Sequence, residues 1–263
     1  MYAILVAIGV CAGFSGSLVG LGGGFIVVPA LAFLFPEMTP AQLAGTSMTV
    51  LLFNSISSAY AYMKQKRIDY GAALRFAAFS VPGAVVGALL AEHIGGRLFF
   101  VSFGVFLMAV AALLLFKPDK PVRWPFKPTT RRDLLDADGQ RFTYAYHMPT
   151  GAAISLLVGV AASLFGVGGG SLMMPTMTLL LAFPAHIAVA TSMLQILLSA
   201  IVSTTTHALL ANVEWLMVLF LAPGAMLGGQ LGARVAKRTR SKMLLRVLSV
   251  LLFVVAIRLM MKG

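Results

Sequence analysis

Gly20-Leu21-Gly22-Gly23-Gly24-Phe25-Ile26-Val27-Val28-Pro29 is written a second time, 146 residues on, as Gly166-Val167-Gly168-Gly169-Gly170-Ser171-Leu172-Met173-Met174-Pro175. Glycine is costly inside a regular helix and is kept where the backbone must bend or approach another group closely. Three in a row between apolar runs, twice, mark a break in each of two apolar segments. A stretch repeated at half the chain length also divides the chain into two repeats. Further pairs follow the same plan. Gly13 and Ser17 match Gly159 and Ser163, and Thr46-Ser47-Met48 matches Thr191-Ser192-Met193. Ile68-Asp69-Tyr70 matches Val213-Glu214-Trp215, and Pro82-Gly83-Ala84 with Gly87 matches Pro223-Gly224-Ala225 with Gly228. The offset runs at 145–146 and falls to 141 at the last pair, which reads as one short deletion.

Of the 263 residues 59% are hydrophobic and 11% charged, a composition outside the soluble globular classes and typical of membrane-spanning helices. The mean hydropathy of +0.94 agrees. The single Cys11 excludes a disulfide framework within the chain and a cysteine-based metal site. A net charge of +12 would point to nucleic acid in a soluble protein. Here Lys and Arg fall between apolar segments, where they set membrane orientation, and no nucleic-acid partner is expected. Met1-Tyr2-Ala3-Ile4 lacks the basic region of a cleaved signal peptide.

Residues 1–35 would reach ~52 Å as one helix, against a hydrocarbon core of ~30 Å, so a helix broken at the glycines is expected. Spans are expected at 40–63, 71–92 and 96–116. Residues 117–148, with four prolines, seven basic and four acidic residues, read as a polar linker. A second Gly-broken unit at 149–183 precedes spans at 186–210, 215–236 and 241–261. The plan is an all-α polytopic membrane protein of about eight helical segments: repeats at 1–116 and 149–263 around a basic cytoplasmic linker at 117–148. Basic clusters at Lys64-Lys66-Arg67, along the linker, and from Arg234 to Arg246 belong in the cytoplasm by the positive-inside rule. They share one side only if each Gly-broken unit enters and returns. Each half then makes three net crossings, and the halves are inverted with both termini outside. Eight single spans in a parallel repeat would put the Arg234 cluster opposite the linker. Charge bias favours the inverted arrangement.

Paired broken helices in inverted repeats are a recurring plan of secondary transporters, with substrate near the midplane. A helix restarting after Gly22-Gly23-Gly24 or Gly168-Gly169-Gly170 presents free N–H groups and a positive dipole end, both suited to an anion. Ser17, Ser163, Ser171, Thr46, Ser47, Asn54, Thr191, Ser192 and Gln195 are nearby polar candidates. The plainer account is that glycines permit tight packing and hydroxyls bond backbone carbonyls. The triple glycines favour a site, whereas for any one Ser or Thr the plainer account is better. All eight acids (Glu37, Asp69, Glu92, Asp119, Asp133, Asp136, Asp138, Glu214) fall at span ends or in the linker. That leaves no carboxylate to neutralise a cation or relay a proton inside the membrane. Arg75 and Arg258 lie near span ends, where such side chains snorkel. His207 is the one intramembrane histidine candidate, and packing is its plainer role. Gly83-x-x-x-Gly87, Gly224-x-x-x-Gly228 and Gly228-x-x-x-Gly232 allow close helix approach, within the chain or in a homo-oligomer. Gly13-Phe14-Ser15-Gly16 has the form of an intramembrane serine-protease nucleophile, but the second half keeps the glycine and loses the serine. No Gly-Lys-Ser/Thr follows either glycine run, which excludes a nucleotide loop.

A Gly-x-Gly-Gly-Gly run ending in proline in each half, with Thr-Ser downstream, resembles the sulfite exporter TauE/SafE family, also called the 4-toluenesulfonate uptake permeases. The resemblance spares only residues 117–148. Its motif maps onto Gly20, Gly22, Gly23, Gly24 and Pro29, and onto Gly166, Gly168, Gly169, Gly170 and Pro175, with Phe25 against Ser171 just after the glycines. It implies an inner-membrane protein moving small sulfur-containing anions such as sulfite, sulfonates or sulfoacetate, in a direction that differs among members. The expectation is a non-enzymatic, cofactor-free secondary transporter in the lipid bilayer, with H+ or Na+ as coupling ion. The membrane potential, worth ~2.3 kcal/mol per charge at 100 mV, expels anions unaided and tilts the reading slightly toward export. A passive anion channel is the competing class.

Overall fold

The computed structural model describes residues 2–115, 127–236 and 241–262; side chains at 114, 171, 241–248, 251 and 262 lie outside that description. Helices α1 (Tyr2–Val19), α2 (Gly24–Leu34), α3 (Pro40–Lys64), α4 (Tyr70–His93) and α5 (Gly96–Leu115) precede a hairpin of β1 (Thr130–Leu135) and β2 (Arg141–Tyr146). Helices α6 (Met148–Phe165), α7 (Gly170–Leu179), α8 (Ala185–Leu209), α9 (Trp215–Ala236) and α10 (Ser241–Lys262) follow. Among the described residues, six helices are long and apolar enough to cross a membrane: α1, α4, α6, α8, α9 and Gly96–Leu113 within α5. This is a multi-pass membrane protein, all-α apart from the hairpin.

Ten helices stand where about eight segments were expected, because each Gly-broken unit is two helices. The breaks have a local cause. Gly20, Gly22 and Gly23 have φ of 81°, 92° and 105°, a left-handed region that side chains disfavour. The N–H groups of Gly20, Leu21 and Gly22 all turn back onto the Gly16 carbonyl, at 2.9, 2.9 and 3.3 Å. The chain reverses there, and α2, of 11 residues, returns only ~16 Å. A capping box of Thr39 and Gln42 with Pro40 in the first turn then starts α3.

Close approaches between the halves give the helix directions. A Cβ on Gly9 or Gly13 would overlap the Leu221 or Ala225 carbonyl, and one on Gly224, Gly228 or Gly232 the carbonyl of Val6, Val10 or Phe14. The numbers rise together, so α1 and α9 run parallel. Gly83 on Leu156 and Gly87 on Val160 make α4 and α6 parallel in the same way. The small-xxx-small patterns thus serve contacts within the chain. Thr46 at Glu214, Ser57 at Met226 and Gln65 at Ala233 align α3 with α9. Asp69 at Thr191 and Glu92 at Asn212 align α4 with α8. A short connection reverses the chain between α3 and α4. Helices α1, α3 and α9 therefore run one way, and α4, α6 and α8 the other.

These contacts correct one reading of the sequence. Gly83 at Leu156 and Gly87 at Val160 correspond to Gly228 at Val10 and Gly232 at Phe14. The spatial offset between α4 and α9 therefore stays at 145 residues and no deletion is needed. The Pro-Gly-Ala pattern of the second half simply begins one helical turn earlier.

The stretch read as a polar linker contains an ordered cap. The hairpin pairs Thr130 with Tyr146 through Leu135 with Arg141, and turns at Gly139 with φ 81°. Phe142, Tyr144 and Tyr146 alternate onto its buried face, where Tyr144 and Tyr146 lie 4.6 and 4.8 Å from the Phe183 ring. Asp136 accepts Arg67 Nε and Nη2 at 3.1 and 2.8 Å on one oxygen. Its other oxygen accepts the N–H groups of Asp138 and Gln140, both at 2.9 Å. The Tyr144 hydroxyl donates to Asp69 at 2.7 Å, and Arg132 lies 3.2 Å from the same carboxylate. Burial, then the bond to Asp69, pushes the Tyr144 phenol well above its ordinary pKa, so it remains a donor. Gln65 donates to the Ala233 carbonyl at 3.0 Å, so Lys64, Lys66, Arg67, the hairpin and Arg234 share one end of the bundle. The remaining basic side chains of the third cluster, like linker residues 117–126, lie outside the described residues.

Candidate functional site

The two glycine loops meet at the centre of the bundle, between α3 and α8. A Cβ on Gly24 would overlap the Gly166 carbonyl, and one on Gly170 the Gly20 carbonyl. Leu51 of α3 and Ile196 of α8 close over the junction, 3.1 and 3.4 Å from where a Gly22 Cβ would sit. Each Thr-Ser pair clasps the opposite half. Ser47 donates to the Gly166 carbonyl at 2.6 Å, and Ser192 to the Gly20 carbonyl at 2.9 Å. Thr46 accepts the Glu214 N–H and Thr191 the Asp69 N–H, both at 3.0 Å. All four side chains are fully buried. Ser47→Ala or Ser192→Ala leaves a buried carbonyl without its donor and is expected to cost about 1–3 kcal/mol. Thermal unfolding in detergent measures this, and melts matching wild type for both variants would refute the clasp.

The junction is not symmetric. On α3, Asn54 donates to the Gly22 carbonyl at 2.6 Å and accepts from Ser58 at 3.3 Å. The corresponding α8 residue, Ser199, is shorter and bonds its own helix at Ile196, 3.1 Å away. Gly23 is tight: at φ 105°, its Cβ would overlap the Ala12 carbonyl. Gly169, which starts α7 without a side-chain cap, is roomy. Among the described side chains, a Cβ there would meet Val158 at 3.5 Å and Ser199 Oγ at 3.9 Å, both ordinary contact distances. One turn from Ser199 on the same helix, Gln195 is 1% exposed, and neither end of its amide has a hydrogen-bond partner. The start of α7 thus has room for a methyl against Ser199 of α8, one turn from a buried amide with a free donor and a free acceptor. Ser171 lies in the first turn of α7, and its side chain is outside the described residues. Among the described residues, Arg75 and Arg258 are exposed, and no charged side chain reaches the junction.

The sulfite exporter TauE/SafE family pattern matches residues 5–259. The chain belongs to the TauE/SafE family. It is 39% identical to the probable membrane transporter protein YunE of Bacillus subtilis, over 100% of this chain and 98% of that one. It is 27% identical to a probable membrane transporter protein of Xylella fastidiosa, over 97% and 93%. With MJ0441 of Methanocaldococcus jannaschii, another probable membrane transporter protein, it shares 26% identity over 97% and 93%. No solved structure matches the chain.

In this TauE/SafE chain the 145-residue offset also pairs two stripes that motif reading missed. On α3 the stripe is Ser47, Val50, Asn54, Ser58 and Tyr62; on α8 it is Ser192, Gln195, Ser199, Ser203 and His207. Tyr62 donates to the Ser17 carbonyl at 2.8 Å, and His207 Nε2 lies 3.2 Å from the matching Ser163 carbonyl. Polar groups of the α3 stripe bond within it or to the glycine unit. The α8 stripe keeps free atoms at Gln195 and at His207 Nδ1. The signal was available as Tyr62 aligned with His207, but a tyrosine and a histidine do not look alike until each is seen bonding the matching carbonyl of its own half. Ser15 donates to the Cys11 carbonyl of its own helix at 2.6 Å, on a part-exposed face away from this stripe.

Proposed function

We propose that this chain is a secondary transporter of small anions, with sulfite, sulfonates and related organosulfur anions as its substrate class. The observation that carries the reading is the start of α7, with room for a methyl at Gly169 against Ser199 of α8, one turn from the partnerless Gln195 amide and with no charged side chain of the described residues at the junction. Neutral N–H donors at a helix start suit an anion, and a helix broken at membrane depth is tolerated where it lines a cavity. We read the halves as inverted repeats, supported by the opposite directions of α1 and α6, α3 and α8, and α4 and α9. Basic residues gathered at the hairpin end support a cytoplasmic position for that end. Rocking of the halves about the glycine junction would then expose the α7 site alternately, with H+ or Na+ as coupling ion. Family membership and the names of the relatives support transport, and the membrane potential favours export.

The test is a thermal-shift panel of purified protein against sulfite, sulfate, thiosulfate and methanesulfonate, since a ligand stabilises in proportion to occupancy. Gln195→Leu is expected to raise the ligand-free melting temperature, because two buried unpaired polar atoms are replaced by apolar ones. It should also weaken the best anion by about tenfold or more, as loss of one hydrogen bond to a charged ligand does. An unchanged ligand-induced shift in Gln195→Leu would move the site elsewhere.

A further inference from the structure

The α8 stripe does more than the α3 stripe, and His207 is where the two differ most. Bracing the Ser163 carbonyl needs one donor, which is all that Tyr62 supplies to Ser17 at the opposite end. A carbonyl only accepts, so Nε2 carries the imidazole proton and Nδ1 is a bare acceptor. That atom is buried without a hydrogen-bond partner, in a side chain with no exposed surface. We propose that His207 is a proton-binding site linked to the anion site through this stripe. The inference rests on the anion reading above and adds its coupling ion.

His207 lies near the end of the bundle opposite the hairpin, two residues before α8 ends at Leu209. An open pocket of about 440 Å³ there is lined by Thr39, Gln42, Glu92, Ile94 and Asn212. The Asn212 N–H donates to the His207 carbonyl at 2.9 Å, and its side-chain amide donates to Glu92. Inward, Ser163 Oγ lies 3.5 Å from His207 Nε2 and 2.6 Å from Ser203 Oγ, one turn short of Ser199. Charged and titratable groups at this end are few. Helix α4 brings Glu92 and His93, with His93 bonded to the Leu89 carbonyl at 3.0 Å. The connections bring Glu37 and Glu214, the latter accepting from Gln42 at 3.0 Å, while the exposed Arg97 opens α5 and the exposed Arg258 lies on the last turns of α10. Helices α6 and α7 bring none, Tyr2 and Cys11 of α1 are exposed, and the tyrosines and Lys64 of α3 lie toward the other end. An imidazolium at His207 therefore has Glu92, Glu37 and Glu214 on its outer side, with the cations of that end exposed on α5 and α10, and an uncharged polar stripe on its inner side.

Gln195 is three turns away along α8, or ~18 Å, which at an effective dielectric constant near 20 makes one charge worth about fivefold in anion affinity. Linkage is reciprocal, so the anion raises the proton affinity of His207 by the same factor and draws up to about 0.4 proton per anion bound. Methanesulfonate is the probe, because it does not itself titrate between pH 5 and 8. Calorimetric titration of the full chain in detergent, in two buffers of different ionisation enthalpy, reads proton uptake directly. Wild type should take up protons on binding. His207→Gln, which keeps a donor for the Ser163 carbonyl, and His207→Tyr, which copies Tyr62, should bind without uptake. Binding without uptake in wild type, or uptake that survives in either folded variant, overturns the inference and leaves the anion site standing. No binding of methanesulfonate or of any panel anion overturns both.

Discussion

Gly24→Ala and Gly170→Ala are expected to prevent the protein from folding, while Gly169→Ala, one position away, is expected to fold and lose anion affinity. The three glycines look equivalent in sequence, and their surroundings separate them. A methyl on Gly24 or Gly170 would enter the carbonyl oxygen of the opposite loop. Retreat of either loop would cost a further bond, because Ser47 and Ser192 donate to those same carbonyls. Overpacking a rigid core costs about 3 kcal/mol or more, a large share of a typical domain's stability. Gly169 has right-handed backbone angles, φ −59° and ψ −19°, and room for a methyl. Its methyl would occupy the start of α7, where we propose the anion binds, with about tenfold or greater loss of affinity expected. Size-exclusion profiles and melting curves in detergent read the first effect, and the thermal-shift panel reads the second. Equal destabilisation by all three substitutions would refute the distinction. Gly23 is not an equivalent probe, since its φ of 105° and the Ala12 carbonyl make any side chain there a folding defect.

Asp136→Ala should detach the hairpin. The substitution leaves Arg67, whose side chain is 6% exposed, without its main partner. Stranding one member of a buried pair costs about 3 kcal/mol, whereas replacing both with apolar residues can be close to neutral. The double variant Arg67→Met/Asp136→Leu should therefore recover much of the loss. Burial by itself would raise the Asp136 carboxyl. Its bonds from Arg67 and from the Gln140 and Asp138 N–H groups outweigh burial, and its pKa is held below the ordinary value. A depressed folded-state pKa contributes stability that is complete above the unfolded value near 3.9 and lost as pH falls through the folded one. Proteolysis of the hairpin should thus be flat from pH 8 to about 5 and accelerate only in acid below about pH 4. Rapid cleavage of the Asp136→Ala hairpin at neutral pH is the expected contrast, and identical cleavage profiles would refute the docking role.

Much of the fold was legible because its signals are local. Apolar runs of spanning length and the glycines at the breaks each act within a turn or two of chain. The hairpin was missed because Phe142, Tyr144 and Tyr146 alternate over one short strand among charges, and that alternation gains meaning only against Phe76 and Phe183. Within the site, polar residue types were legible and their roles were not. Thr46, Ser47, Thr191 and Ser192 look like pocket donors in sequence and are occupied as clasps in the structure. Gln195 looks like one polar residue among many and is the one with both amide atoms free.

By itself the sequence determined that the chain spans the membrane, that it is written twice, and that both copies break at glycine. Those properties follow from hydrophobic length and from the absence of a Cβ, which neighbours do not alter. Only the tertiary structure decided that the two loops touch, that the offset holds at 145 through α4 and α9, and that a methyl fits at Gly169 but not at Gly24 or Gly170. Those depend on which surfaces meet across more than a hundred residues of chain. A glycine's room for a ligand is set by the carbonyl facing it, and nothing in its own sequence neighbourhood says which carbonyl that is.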